Sequence, residues 1–216
     1  MDGVFGKGIA FILEGDTEKE FYLSLLNFLC GKYGVQINRE ITDDTPDIVY
    51  TIQKGSEVLL IKFHTVNSVE NMPRSGKWFT SQCVSKYKGK HDWYVFLCYD
   101  TDNYKNDVSK FHEGDWAELR AKLKKAKGII DIAAAADIED IMLQDLEGVC
   151  AYLGCTPPVT LQGSKGKRKM KKLFRDHGQY YHEGTRARSL IDSLDMQKLI
   201  DSGSVPLIEI ERLCFQ

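Results

Sequence analysis

Residues 94–103, Tyr94-Val-Phe-Leu-Cys-Tyr-Asp-Thr-Asp-Asn103, decide the fold. Tyr94 to Tyr99 is an uninterrupted apolar run of aromatic and aliphatic side chains. Such a run suits the centre of a parallel sheet that is covered on both faces. It breaks at Asp100-Thr-Asp-Asn103, residue types that favour a turn. In open α/β sheets, ligands gather at the carboxyl ends of the strands. Asp100 and Asp102, leaving a strand there, can converge on one hard cation such as Mg²⁺ or Mn²⁺.

The flanking sequence alternates strand and helix signals. Gly8 to Leu13 reads as a first strand, running into Glu14-Gly-Asp16. Thr17 with Glu20 fits a capping box, and Phe21, Leu25, Phe28 and Leu29 recur at helical spacing until Gly31 or Gly34. Residues 47–53 and 57–63 read as a β-hairpin turning at Lys54-Gly-Ser56. Residues 67–76 read as loop and 77–87 as helix, ahead of the central strand. Beyond the aspartates, residues 103–114 are polar and loop-like. Asp115 and Glu118 open a helix to about Lys127, and Gly128 to Ile132 forms a short strand. Asp137 caps a further helix over 138–148, with Glu139 and Asp140 in its first turn. Complementing the helix dipole accounts for Asp140 better than for Glu139. The composition changes at Gly154-Cys-Thr-Pro-Pro158, and three short helical pieces (185–194, 196–202 and 205–213) close the chain. The pattern is α/β: a mostly parallel sheet flanked by helices, with a hairpin insertion and a helical C-terminal third.

The bulk properties narrow the function classes. At 216 residues the chain supports one substantial core. A formal net charge of −2 gives no overall attraction to nucleic acid, so any such binding needs a local patch. No apolar run reaches the roughly 18 residues that span a bilayer, and the N-terminus lacks the features of a signal peptide. The six cysteines are scattered without zinc spacing, which suits reduced core thiols in a cytoplasmic protein.

Four acidic residues fall beside strand ends: Glu14, Asp100, Asp102 and, one step further on, Glu139. Left uncompensated they would repel one another, and a bound cation is the natural account. The counterpart is a basic run, with Lys165, Lys167, Arg168, Lys169, Lys171, Lys172 and Arg175 and no acidic residue between them. It can neutralise phosphates, and Tyr180 and Tyr181 nearby can stack on bases. The alternative for the run is a solvated helix face. His64 follows a strand and can sit near the site; the other histidines show no metal spacing.

A strand ending in Glu-Gly before a helix (FILEGDTEKEFY), then a central strand ending Asp-x-Asp (YVFLCYDTDNY), resembles the Toprim domain. ADIEDIML resembles a third acidic motif of small stand-alone and OLD-like Toprim proteins, and EGTRARSLIDSLD resembles their tail. The resemblance covers about residues 8–150. It implies a Toprim-like catalytic domain over 1–153 with a basic helical extension, 154–216, packed on it. It further implies Glu14 as acid/base or metal ligand, Asp100 and Asp102 as metal ligands, and Glu139 as an additional ligand. A basic residue of the run, one of Lys165, Lys167 and Arg168, would reach the scissile phosphate.

The activity implied is Mg²⁺- or Mn²⁺-dependent phosphodiester hydrolysis in DNA or RNA, with a role in bacterial antiviral defence. The partners implied are nucleic acid and a separately encoded ATPase, with room for a homo-oligomer and no membrane. Two other readings stand beside it. One is a non-catalytic Toprim module binding nucleic acid or a protein. The other is a haloacid-dehalogenase-type phosphatase, against which the mid-chain position of the Asp-x-Asp counts.

Overall fold

A computed structural model of the chain describes residues 6–41, 48–101 and 113–216. Asp102 and most of the loop expected over 103–114 lie outside the described residues. The elements run β1 (Gly6–Leu13), α1 (Asp16–Lys32), β2 (Ile37–Ile41), β3 (Ile48–Lys54) and β4 (Glu57–Thr65). Then come a 3₁₀ helix (Val69–Arg74), α2 (Ser75–Trp78), a π-helix (Phe79–Ser85), β5 (His91–Asp100) and α3 (Glu113–Lys122). β6 (Gly128–Ala134) leads into α4 (Ile138–Met142) and α5 (Leu146–Leu153). The chain closes with α6 (Gly166–Asp176), α7 (Arg188–Ile191), α8 (Met196–Asp201) and α9 (Ile208–Phe215).

Six strands form one sheet in the order β2-β3-β4-β1-β5-β6. β4, β1, β5 and β6 run parallel, while β2 and β3 extend the β4 edge in antiparallel pairs. The fold is therefore mixed α/β with helices over the sheet. The hairpin is present as expected, but β4 pairs directly with β1, so it belongs to the sheet and is no appendage. β2 was not expected from the sequence; its INREI is short and mostly exposed.

Alternation along β1 builds two cores. Ile9, Phe11 and Leu13 face α1 and the C-terminal helices. Phe11 stacks on its cross-strand neighbours Phe63 and Phe96 at 5.0 and 5.1 Å, an aromatic row across three parallel strands. Truncating Phe96 to Ala would cost about 3–5 kcal/mol. Ala10 and Ile12 face the other way, onto residues 69–85 and α3. There the expected loop over 67–76 is a 3₁₀ turn, and the expected helix over 77–87 is largely π-helical. Fully buried Lys62 of β4 donates from Nζ to the Gln82 carbonyl of that π-helix at 2.9 Å. A buried ammonium needs acceptors, and a widened helix turn frees a carbonyl to serve as one.

The start of α1 departs from expectation. Its N-cap is Gly15, without a side-chain cap. Thr17 Oγ1 instead accepts the backbone N–H of Gly184 at 2.8 Å, and Glu20 pairs with Arg188 at 3.0 Å. The residues of the supposed capping box thus clamp the C-terminal segment to α1.

Candidate active site: an acidic pocket at the carboxyl edge of the sheet

β1 and β5 are neighbours, in register through Leu13 and Cys98. Their ends therefore emerge side by side. The Glu14 N–H donates to the Cys98 carbonyl at 3.2 Å, and Glu14 Oε2 accepts the N–H of Asp100 at 3.1 Å. β6 ends beside them. Buried Thr101 ties the edge together: its Oγ1 donates to the Ala134 carbonyl and accepts the Ala136 N–H. Ala136 takes a left-handed φ of +66° to make that turn. Asp137 then caps α4, accepting the Asp140 N–H at 3.2 Å, and Glu139 follows in the first turn.

These ends surround a cavity of about 300 Å³ whose lining includes Glu14, Glu18, Asp100, Glu139, Lys167 and Glu183. Of the sequence-derived acids, the fold brings together Glu14, Asp100 and Glu139; Asp102 lies outside the described residues. A larger cavity of about 440 Å³, lined partly by Lys77, Thr80 and Lys122, contains none of the acidic cluster.

The electrostatics are those of a crowded anionic site. Burial and then the nearby Glu18, Glu14 and Glu139 push the Asp100 carboxyl well above its ordinary range. Asp100 Oδ1 is buried and has no hydrogen-bond partner among the described residues. Burial, assisted by Glu14 and Glu139, raises Glu18 to about 7. Glu139 also rises to about 7, from burial and then Asp137, although the Tyr181 hydroxyl opposes the shift by donating to Glu139 Oε1 at 2.8 Å.

The C-terminal extension supplies the other wall. Gly166 N–H donates to Asp140 Oδ2 at 2.9 Å, and Lys167 N–H donates to both oxygens of Asp137 at 3.1 and 3.0 Å. A Cβ on Gly166 would lie 2.3 Å from Asp137 Oδ1 and 2.3 Å from the Asp140 nitrogen. Only glycine permits so close an approach. Lys167 then bridges to Glu183 at 2.6 Å and Lys171 to the other oxygen of Glu183 at 2.7 Å. Lys169 pairs with Asp140 at 3.0 Å, Lys172 pairs with Asp176, and Arg168 donates to Ser164 Oγ. Much of the basic run is thus engaged inside the chain, and of its side chains only Lys167 lines the pocket.

Several residues at the pocket were not singled out from the sequence: Glu18 and Glu183 line it, and Asp137, read only as a helix cap, holds Lys167 beside it. Tyr181, expected to stack on bases, is buried against Phe174 and Glu139, whereas Tyr180 is 81% exposed. His64 stacks on Trp78 at 4.5 Å. All six cysteines are free thiols. Among the described residues no helix is long and apolar enough to cross a membrane.

Among the described residues, no group of three or more His, Cys, Asp or Glu side chains stands arranged as a ready metal cage. The donor set that is present, Glu14 with the unpartnered oxygen of Asp100, suits a cation that keeps most of its water. Mg²⁺ uses one or two protein carboxylates in this way.

No family model and no curated protein matches the chain. Among solved structures it is similar to a 5'-methylthioadenosine/S-adenosyl homocysteine nucleosidase from Campylobacter jejuni. That match has 13% identity and a TM-score of 0.30, covering 97% of this chain and 99% of that one. A futalosine hydrolase mutant of Helicobacter pylori strain 26695 matches at 10% identity and a TM-score of 0.27, covering 91% and 98%. Likeness this low transfers neither activity to this chain. The Toprim assignment is corrected: no family model matches the chain, and the solved structures it is similar to are described as a nucleosidase and a futalosine hydrolase. The phosphodiester nuclease reading, its Toprim-module and phosphatase alternatives and the OLD-like defence role are withdrawn with it. Short acidic motifs at strand ends recur in any α/β site that handles charge, so their order alone does not define a family.

Proposed function

We propose that the acidic pocket is the active site of a hydrolase acting on a small polar substrate, with one divalent cation, Mg²⁺ or Mn²⁺, between Glu14 and Asp100. The observation that carries this reading is the buried Asp100 Oδ1, without a hydrogen-bond partner among the described residues, close to Glu14, Glu18 and Glu139. Burying like charges together costs stability unless a cation or a proton compensates them. When bound, the cation would supply Lewis-acid activation of water.

The chain's own residues supply the rest. Glu14 is held by the Asp100 backbone, so the two carboxylates keep their spacing. Glu139, oriented by Tyr181 and held at about 7, can give or take a proton near neutral pH. Lys167 offers the pocket a positive charge. The volume suits a small polar molecule, and Ile138 contributes an apolar side chain to the lining.

The test is calorimetric titration of the full chain with MgCl₂ and MnCl₂, followed by a screen of small chromogenic hydrolase substrates. Wild type should bind one cation and turn over a substrate, and Asp100→Asn should do neither. Equal cation binding by the two proteins would remove the basis of the proposal.

A further inference from the structure

Glu183 lines the acidic pocket with both carboxylate oxygens engaged by lysines. Its two carboxylate oxygens are divided between two lysines of α6, Oε2 with Lys167 at 2.6 Å and Oε1 with Lys171 at 2.7 Å. Both Lys167 and Glu183 line the acidic pocket. The backbone around Glu183 is anchored on both sides. Two residues before it, buried Tyr181 is bonded to Glu139. Immediately after it, Gly184, at a φ of +65°, gives its N–H to Thr17 Oγ1. The Glu183 side chain itself keeps 38% of its surface exposed, and the two lysine side chains keep 44 and 46%. The backbone strap is therefore fixed while the charged tip can swing into solvent. Lys167 is fixed from below, its N–H bound to Asp137.

We propose that Lys167 and Lys171 form an oxyanion subsite at the pocket mouth, and that Glu183 occupies it as an internal stand-in until a substrate's carboxylate or phosphate group displaces it. The proposal deepens the active-site reading above and rests on it for the identity of the pocket. A carboxylate held one oxygen per lysine occupies nearly the footprint that two oxygens of a phosphate would take. An exposed ion pair of this kind is weak, so an incoming oxyanion can exchange with it. Glu183 also limits which ligands enter: a neutral molecule gains nothing by breaking the two pairs, whereas an anion replaces them in kind.

The test uses the full chain, wild type and Glu183→Gln, titrated with inorganic phosphate and with acetate, in EDTA and again in MgCl₂. Circular dichroism confirms that the variant is folded. Glu183→Gln should bind at least one of the two anions about fivefold more tightly than wild type, the size expected for two weak exposed pairs. The gain should disappear in Glu183→Gln/Lys171→Met. The anion that gains identifies the substrate's group. Unchanged affinity for both anions, or a gain that persists without Lys171, would overturn the subsite. Because the EDTA arm omits the divalent cation, failure of cation binding with the anion gain intact counts only against the active-site reading.

Discussion

The backbone N–H of Asp100 donates to Glu14 Oε2 at 3.1 Å, joining the ends of two strands that lie 86 residues apart in the chain. Only the adjacency of β1 and β5 makes this contact, and it leaves the Asp100 carboxyl facing Glu18 and Glu139, one oxygen without a hydrogen-bond partner among the described residues. Asp100→Asn removes a buried like charge while keeping the side chain's shape. The cation-free variant should be more stable than wild type by about 1–2 kcal/mol at pH 8, as is common where a site holds strain for function. The rise in melting temperature that MnCl₂ gives wild type should vanish. An undiminished MnCl₂ effect in the variant would place the cation elsewhere.

Stability without metal should fall as pH rises from about 4.5 to about 7. Glu18 and Glu139 have folded-state values near 7 against ordinary values of 4.5, because burial disfavours their charge. Across that window the folded chain binds more protons than the unfolded one, so acid favours folding. Each group contributes up to about 3 kcal/mol. Asp145, Glu183 and Glu211 have depressed values and act with the opposite sign at lower pH, and His64 and His91, lowered by burial, oppose the trend below about 6.5 without reaching the size of the two glutamates together. In EDTA the melting temperature should be higher at pH 5.5 than at pH 8. Glu18→Gln and Glu139→Gln should each flatten the difference. A melting temperature that climbs steadily toward pH 8 contradicts the assignment.

How much of this was legible in the sequence depends on range. The run 94–99 announces a buried strand because both its faces meet apolar layers, and the hairpin follows from the turn at Gly55. The strand-end positions of Glu14 and Asp100 were readable for the same reason. Their contact was not, since sheet order is absent from local pattern. Thr17 matched a capping box, yet its partner is Gly184, 167 residues away. Phe79–Ser85 carries no local signal separating π from α, and the Gln82 carbonyl within it accepts from Lys62 of β4, a partner that sequence pattern cannot place. Glu183 offered one hint, as the lone acid between residues 177 and 191, a stretch otherwise rich in basic and aromatic side chains. Glu18 offered none: it reads as one more charge on the surface of α1.

Gly166→Ala should be among the most damaging single-methyl additions in the chain. The new Cβ would fall 2.3 Å from both Asp137 Oδ1 and the Asp140 nitrogen, and 2.7 Å from the Glu139 carbonyl carbon. Two of these are backbone atoms, so relief requires α6 to move off α4. That movement breaks the bonds from Gly166 N–H to Asp140 and from Lys167 N–H to Asp137. A loss of about 2–4 kcal/mol is expected in urea unfolding, from overpacking plus lost buried hydrogen bonds. Since the same contact sets the height of Lys167 at the pocket, phosphate affinity should fall even at temperatures where the variant is folded. A substitution that leaves both quantities unchanged would show that α6 does not depend on this approach.

Tyr181→Phe isolates the hydroxyl that orients Glu139. Phe keeps the ring that packs edge-on against Phe174 at 5.5 Å and removes only the donor to Glu139 Oε1. That donor lowers the Glu139 value and so works against burial. Without it Glu139 should titrate above 7, and any turnover profile should shift alkaline on its acid limb by about half a unit to one unit. The stability cost should itself depend on pH. At pH 8, where Glu139 is charged, losing a buried bond to a carboxylate should cost about 1.5–3 kcal/mol. At pH 5.5, where Glu139 is neutral, the loss should be smaller, because a neutral carboxyl accepts a weaker hydrogen bond. Melting curves of wild type and variant at the two pH values measure the difference directly. A pH-independent gap between them would mean that Tyr181 acts by packing alone and that Glu139 owes its position to α4.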